Sequence, residues 1–295
     1  NNTGAPVINF NGNLNLSGTG IIDLQLSGST AGSNNGIVNL RGNLNMTGGS
    51  IVKTGTATGA TFNFAKTGTQ TFTKSAGTIS GNQLFNINSG AVVDFGTNIL
   101  DGATGGFTLA SGGGIITANT NTTGALTTSG TNGTIQVTGT RTYNTGADYT
   151  FSGASAQVAG NGFTGSRNLT ISNTTGLKLA ASTAATVTGT LSLSGDLDIN
   201  ANTLTLNSAA AAQSITGSAS SRQITSTGNG IVSLTGSGAH TITVSSLTGL
   251  TFGSTVTLQF NSNATLDCGG NGTSTSLVTV NGTLQMNSVT NSNIA

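Results

Sequence analysis

The chain has 295 residues, of which 46 are Gly, 55 Thr, 34 Asn and 33 Ser, so four small or polar types fill more than half of it. Lys and Arg number 8 against 7 acids, all of them Asp, and with no Glu and an excess of β-branched residues a helical protein is excluded. One Pro, one Cys and no Trp exclude a collagen, a disulfide scaffold and a Cys-rich zinc protein, and a net charge of +1 without a basic cluster gives no footprint for nucleic acid.

The 34% of hydrophobic residues separates the chain from a disordered linker, because these residues recur at regular intervals. No apolar run approaches the roughly 18 residues of a membrane span, so no membrane insertion is expected. The opening Asn1-Asn2-Thr3-Gly4 is unlike a signal peptide, which points to a chain processed or excised from something longer.

In chain order, the first repeat joins Ile8-Asn9-Phe10-Asn11-Gly12-Asn13-Leu14-Asn15-Leu16-Ser17-Gly18 to Val38-Asn39-Leu40-Arg41-Gly42-Asn43-Leu44-Asn45-Met46-Thr47-Gly48. The offset is 30, and at that offset Ile21-Ile22 falls on Ile51-Val52. Further along come Leu169-Thr170-Ile171, Leu177-Lys178-Leu179 and Ala185-Thr186-Val187, followed at offsets of 22, 20 and 19 by triplets at 191–193, 197–199 and 204–206. Apolar-polar-apolar triplets put two side chains on one face and one on the other, so each is a short strand with one buried face.

Three strands per turn, each stacked on its counterpart in the next turn, define a parallel β-helix. The expected fold is therefore all-β, a right-handed parallel β-helix or β-solenoid with about 20–24 residues per turn, its hand taken from the general preference of parallel crossovers. Such turns would number about 12–14, a rod of about 60 Å at the spacing of stacked strands. Residues 1–295 read as one continuous solenoid, with Gly and Asn at the corners. Stretches 29–36, 54–60, 102–106, 118–133 and the alanine run 209–212 read as lengthened corners.

Candidate chemistry is sparse. Asp196 and Asp198 are the closest acidic pair, spaced to share a strand face as paired carboxylates or a calcium site require. The competing expectation is structural: Asp198 takes the outward slot that Lys178 takes one turn earlier, so the two would pair across the ladder. His240, the only histidine, reads as a surface corner residue without triad or metal partners. Cys268 reads as a small buried hydrophobe, and Gly269-Gly270-Asn271-Gly272 is only a weak match to a calcium-binding turn.

Tyr143 and Tyr149, with Phe151 and Phe163, would make a glycan-stacking platform if exposed, although the alternation of Tyr149-Thr150-Phe151 points that pair toward the core. Thr69-Gln70-Thr71-Phe72-Thr73, Thr186-Val187-Thr188, Thr203-Leu204-Thr205, Thr241-Ile242-Thr243 and Thr255-Val256-Thr257 raise ice binding, but they do not recur at one fixed offset. No catalytic residue, metal site or cofactor is expected.

The stretch from Phe107 to Leu206 carries a further signal. Gly139-Thr140-Arg141-Thr142-Tyr143-Asn144-Thr145-Gly146-Ala147-Asp148-Tyr149-Thr150-Phe151-Ser152-Gly153, then Ala156-Gln157-Val158-Ala159-Gly160-Asn161-Gly162-Phe163, Asn168-Leu169-Thr170-Ile171-Ser172-Asn173 and Gly189-Thr190-Leu191-Ser192-Leu193, resembles the repetitive adhesin-like surface proteins of Bacteroidetes bacteria. The resemblance covers about a third of the chain, and it implies export to the cell surface or medium and a role in attachment, surface motility or fibres. The C-terminal sorting domain of such proteins is not visible. An ending at Asn293-Ile294-Ala295 without a cap suggests a segment of a longer chain, or a protomer that self-associates end to end through open strand edges.

The reading as a whole is a non-enzymatic extracellular structural and adhesive module, forming a stalk or fibre at the bacterial surface and contacting surface glycans. Its rivals are a carbohydrate-binding or carbohydrate-active β-helix of the lyase or hydrolase kind, and an ice-binding protein.

Overall fold

The computed structural model describes residues 6–25, 35–56, 59–208, 213–218, 220–236, 240–261, 264–268, 277–287 and 293–294. They form short strands without a helix, paired in parallel and stacked as a β-solenoid of about 10 turns. Two compact units divide it, residues 1–119 with 125–147, and residues 120–124 with 148–295.

In the first unit, one sheet stacks Val7–Phe10, Ile37–Leu40, Thr61–Phe64, Leu84–Ile87, Phe107–Leu109 and Arg141–Tyr143. Alternation turns Val38, Phe62, Phe85 and Phe107 inward in one row, and Leu40, Phe64, Ile87 and Leu109 in the next. A second sheet adds Phe72 and Phe95, whose ring centroids lie 5.0 Å apart, and each is 6.3 Å from Phe64. The narrow core is thus an aromatic stack along the turns, each ring removing a large apolar area from water.

The outward slots of the same sheet carry Asn9, Asn39, Asn63 and Asn86 in register. From Asn39 onward each Nδ2 donates to the Oδ1 of the preceding turn, at 3.0, 2.8 and 2.8 Å. Asn is a poor strand former in isolation, yet here its amide holds one turn in register on the next.

The repeat at offset 30 pairs as expected from Val7↔Ile37 through Leu16↔Met46. It then slips: Ile22, not Ile21, faces Ile51, because the corner before that strand is one residue shorter in the second turn. At Gly42 the stacking is tight, since a Cβ there would overlap the backbone carbonyl of Gly12.

The second unit has three parallel sheets, hence three strands per turn. The offsets of 22, 20 and 19 expected from the triplets are the observed registers Leu169↔Leu191, Leu177↔Leu197 and Ala185↔Leu204. Elsewhere the turns outgrow 20–24 residues: Ile8↔Val38 spans 30, Gln213↔Ile242 spans 29 and Phe107↔Arg141 spans 34. The extra residues are corners, which lengthen at small entropic cost without disturbing the inward rows.

The longest excursion, 118–138, is held by Arg141. This residue follows Phe107 in the inward row and is 5% exposed. Its Nε donates to Val137 O at 2.9 Å, Nη1 donates to Thr127 O at 3.1 Å and Oγ1 at 3.0 Å, and Nη2 donates to Gly130 O. Burial draws its pKa below the ordinary value, with Tyr143 acting the other way. Of the other lengthened corners, 209–212 and most of 29–36 lie outside the described residues.

Candidate functional site

The two-residue strands Gln157–Val158, Leu177–Lys178 and Leu197–Asp198 begin one sheet of the second unit. Leu177 and Leu197 anchor them inward, which leaves Lys178 and Asp198 outward and in register. Lys178 Nζ lies 3.5 Å from Asp198 Oδ2, with the side chains 39% and 23% exposed. The structural expectation for this pair is the arrangement found. Asp196 stands beside Asp198 on the same outward face, and its Oδ1 accepts the Gln223 amide at 2.9 Å.

Asp198 is clamped by the corner that follows it. Asn200 and Ala201 both take positive φ, 53° and 60°, a backbone conformation that costs a non-glycine residue energy. The Asn200 amide donates to Asp198 Oδ1 at 2.8 Å and the Ala201 amide to Ser226 Oγ at 2.8 Å. From the next turn, the Thr227 amide donates to Oδ1 at 2.9 Å and its hydroxyl to Oδ2 at 2.5 Å. Partial burial alone would raise the Asp198 pKa, but the Thr227 and Asn200 donors and the Lys178 ammonium outweigh it, and the pKa is lowered.

Lys178, Asp196 and Asp198 line an open groove of about 260 Å³ together with Gln157, Gly176 and Thr225. Gly176 has φ +100°, and a Cβ there would sit 2.8 Å from Asp196 O. The groove therefore has a bare backbone wall and a mixed-charge rim. Among the described residues no three His, Cys, Asp or Glu side chains converge as a metal site.

The aromatic platform is not formed. Tyr149 is 1% exposed, and its ring meets Phe163 edge-on at 5.2 Å, so the strand alternation that turns Phe151 inward turns Tyr149 inward too. Tyr149 has no ring face for a glycan. Tyr143 is half-buried, stacks at 5.7 Å from Phe107 and donates its hydroxyl to Thr127 O at 3.3 Å, and burial raises its pKa. Its place in the inward row, after Leu109, makes it a wall of the first unit rather than a projecting contact.

His240 opens the strand His240–Ser245 with its backbone opposite Ala264, a strand position instead of the expected corner. Cys268 is half-buried rather than buried, and burial followed by the charge of Asp267 raises its thiol pKa, which disfavours the reactive thiolate. Gly269–Gly272 lies outside the described residues. Other acids brace neighbouring segments: Asp23 accepts the Thr54 hydroxyl at 2.6 Å, Asp101 pairs with Lys74 at 2.9 Å, and Asp148 pairs with Arg167.

Hydroxyl rows do align, though mostly not those suggested by Thr-x-Thr spelling. Thr150, Thr170, Ser192, Thr216 and Ser245 stack in register on one face of the second unit. Beside them stand Thr190, Ser214 and Thr243, while the intervening Leu191, Ile215 and Val244 are fully buried. Spacings of 20, 22, 24 and 29 residues hide this row from a search at fixed period; the outward slot of each apolar triplet is the signal that finds it.

No protein-family model, curated protein or solved structure matches the chain.

Proposed function

We propose that this chain is a non-enzymatic structural and adhesive module at the bacterial cell surface, part of an extracellular stalk or fibre. The observation that carries the reading is the use made of the outward polar groups. The Asn9–Asn39–Asn63–Asn86 amides bond turn to turn, and Asp148 and Asp198 bind partners one turn away. Polar side chains in this arrangement hold a repetitive, nearly uncharged surface in register, which suits presentation over length. The resemblance of residues 107–206 to adhesin-like surface proteins supports the same reading.

Self-association end to end belongs to this proposal, with stacked strand edges as the pairing element. Immunogold labelling of intact cells together with sedimentation of the purified chain tests it. Surface label and concentration-dependent oligomers are expected; a strictly cytoplasmic label would overturn it.

One observation favours a second reading, adsorption to ice: the two in-register hydroxyl rows of the second unit. Thermal hysteresis decides between them, because an adhesive stalk has no reason to produce it.

A further inference from the structure

The groove beside Lys178 gathers three of the 15 charged residues of a chain that otherwise spreads them thinly. Its hydrogen-bonding capacity is only partly used within the protein. Asp196 Oδ1 is taken by Gln223, and among the described residues no hydrogen bond reaches Oδ2. Among the described residues, Thr225 has no side-chain hydrogen bond, and Lys178 Nζ makes only long contacts, 3.3 Å to Thr227 Oγ1 and 3.5 Å to Asp198. An acceptor, a hydroxyl and an ammonium therefore face one open cavity.

We propose that this groove is a subsite for one neutral pyranose unit of a glycan. The inference rests on the adhesive reading and names what is adhered to. A sugar ring presents adjacent hydroxyls that both donate and accept, and a carboxylate beside an ammonium serves the two roles at once. The volume of about 260 Å³ fits one ring with part of its neighbour, and the open wall at Gly176 lets a chain continue past the site. Two carboxylates against one ammonium leave a net negative rim, which rejects uronates and sulfated sugars. Asp198 is held before binding by Asn200 and Thr227, so little ordering is needed when ligand arrives. With no aromatic in the groove to stack on the ring, binding is weak, with a dissociation constant on the order of 1 mM, and multiple copies supply the avidity.

The experiment is a nuclear magnetic resonance titration of the whole chain with the methyl glycosides of glucose, galactose, mannose and N-acetylglucosamine, and with galacturonate. At least one neutral glycoside is expected to shift the amides of Gly176, Lys178, Asp196 and Asp198, and galacturonate none of them. Asp196→Asn and Thr225→Val should each weaken binding about 5-fold or more while leaving the circular dichroism unchanged; they are chosen because Asp196→Asn keeps a side-chain oxygen to accept the Gln223 amide of the next turn, and Thr225 makes no side-chain hydrogen bond among the described residues. No shifts with any neutral glycoside at roughly 50-fold the expected dissociation constant, shifts confined to other faces, or equal binding of galacturonate would overturn the subsite. A flat titration by a chain that still adheres to cells rejects the subsite alone, whereas sugar binding by a chain that is never exported rejects the adhesive reading alone.

Discussion

Arg141 stands where Phe62, Phe85 and Phe107 stand in earlier turns, and its guanidinium replaces an aromatic contact with four hydrogen bonds to residues 127–137. Removing it would strand the buried Val137 carbonyl and leave the buried Thr127 carbonyl with only the longer contact from the Tyr143 hydroxyl. Arg141→Ala is therefore expected to cost on the order of 3–5 kcal/mol in chemical denaturation, and Arg141→Lys to recover only part, since one ammonium cannot reach the same forked set. At Asp198 the folded pKa lies below the ordinary carboxylate value, so its contribution to stability is present above that value and lost as pH falls through the lowered one. Melting temperatures should stay level down to about pH 4 and then drop, with the drop reduced in Asp198→Asn. Neither role can be read from residue type alone: Asp198 was legible because Lys178 sits in the same slot one turn earlier, whereas Arg141 follows a run of Phe with no spelling that announces an inward charge.

The strands are individually too short to be stable, and each is defined by what it stacks on. Phe64 is the clearest case, with rings of Phe62, Phe72 and Phe95 at 5.4, 6.3 and 6.3 Å. Phe64→Ala should destabilise the first unit by about 3–5 kcal/mol, and Phe64→Leu by distinctly less, measured by urea unfolding. The alternation of Thr61–Phe64 made its inward face legible. The partner in the next turn was legible only where corners kept their length, as at Leu169↔Leu191. The slip at Ile22↔Ile51 shows why: one residue fewer in a corner changes which side chains meet, while the local pattern stays the same.

Across the whole molecule the nearly neutral surface sets how the chain meets its surroundings. On the proposed adhesive role, a net charge of +1 and 5% charged residues make attachment rest on hydrogen bonding and contact area, with little contribution from long-range attraction. Adherence of the purified chain to cells is expected to change less than about 2-fold between low salt and roughly 0.5 M salt, at which exposed charge pairs are screened. A steep decline measured in a flow-cell assay would instead implicate the few Lys and Arg side chains.

Composition and period-two alternation were sufficient for the all-β class, because they depend on short-range sterics and on which side chains avoid water, and the recurrence of the triplets gave the parallel stacking and the three-strand turn of the second unit. The tertiary structure alone decided which turns stack on which, that Tyr149 lies in the core, and that Arg141 anchors a corner of 34-residue pitch. It also brought Asp196, Thr225 and Lys178 to one groove. These meetings depend on the lengths of corners whose residues are nearly interchangeable. Gly, Asn, Ser and Thr can turn the chain in many ways, and only the stacking of the apolar rows selects among them.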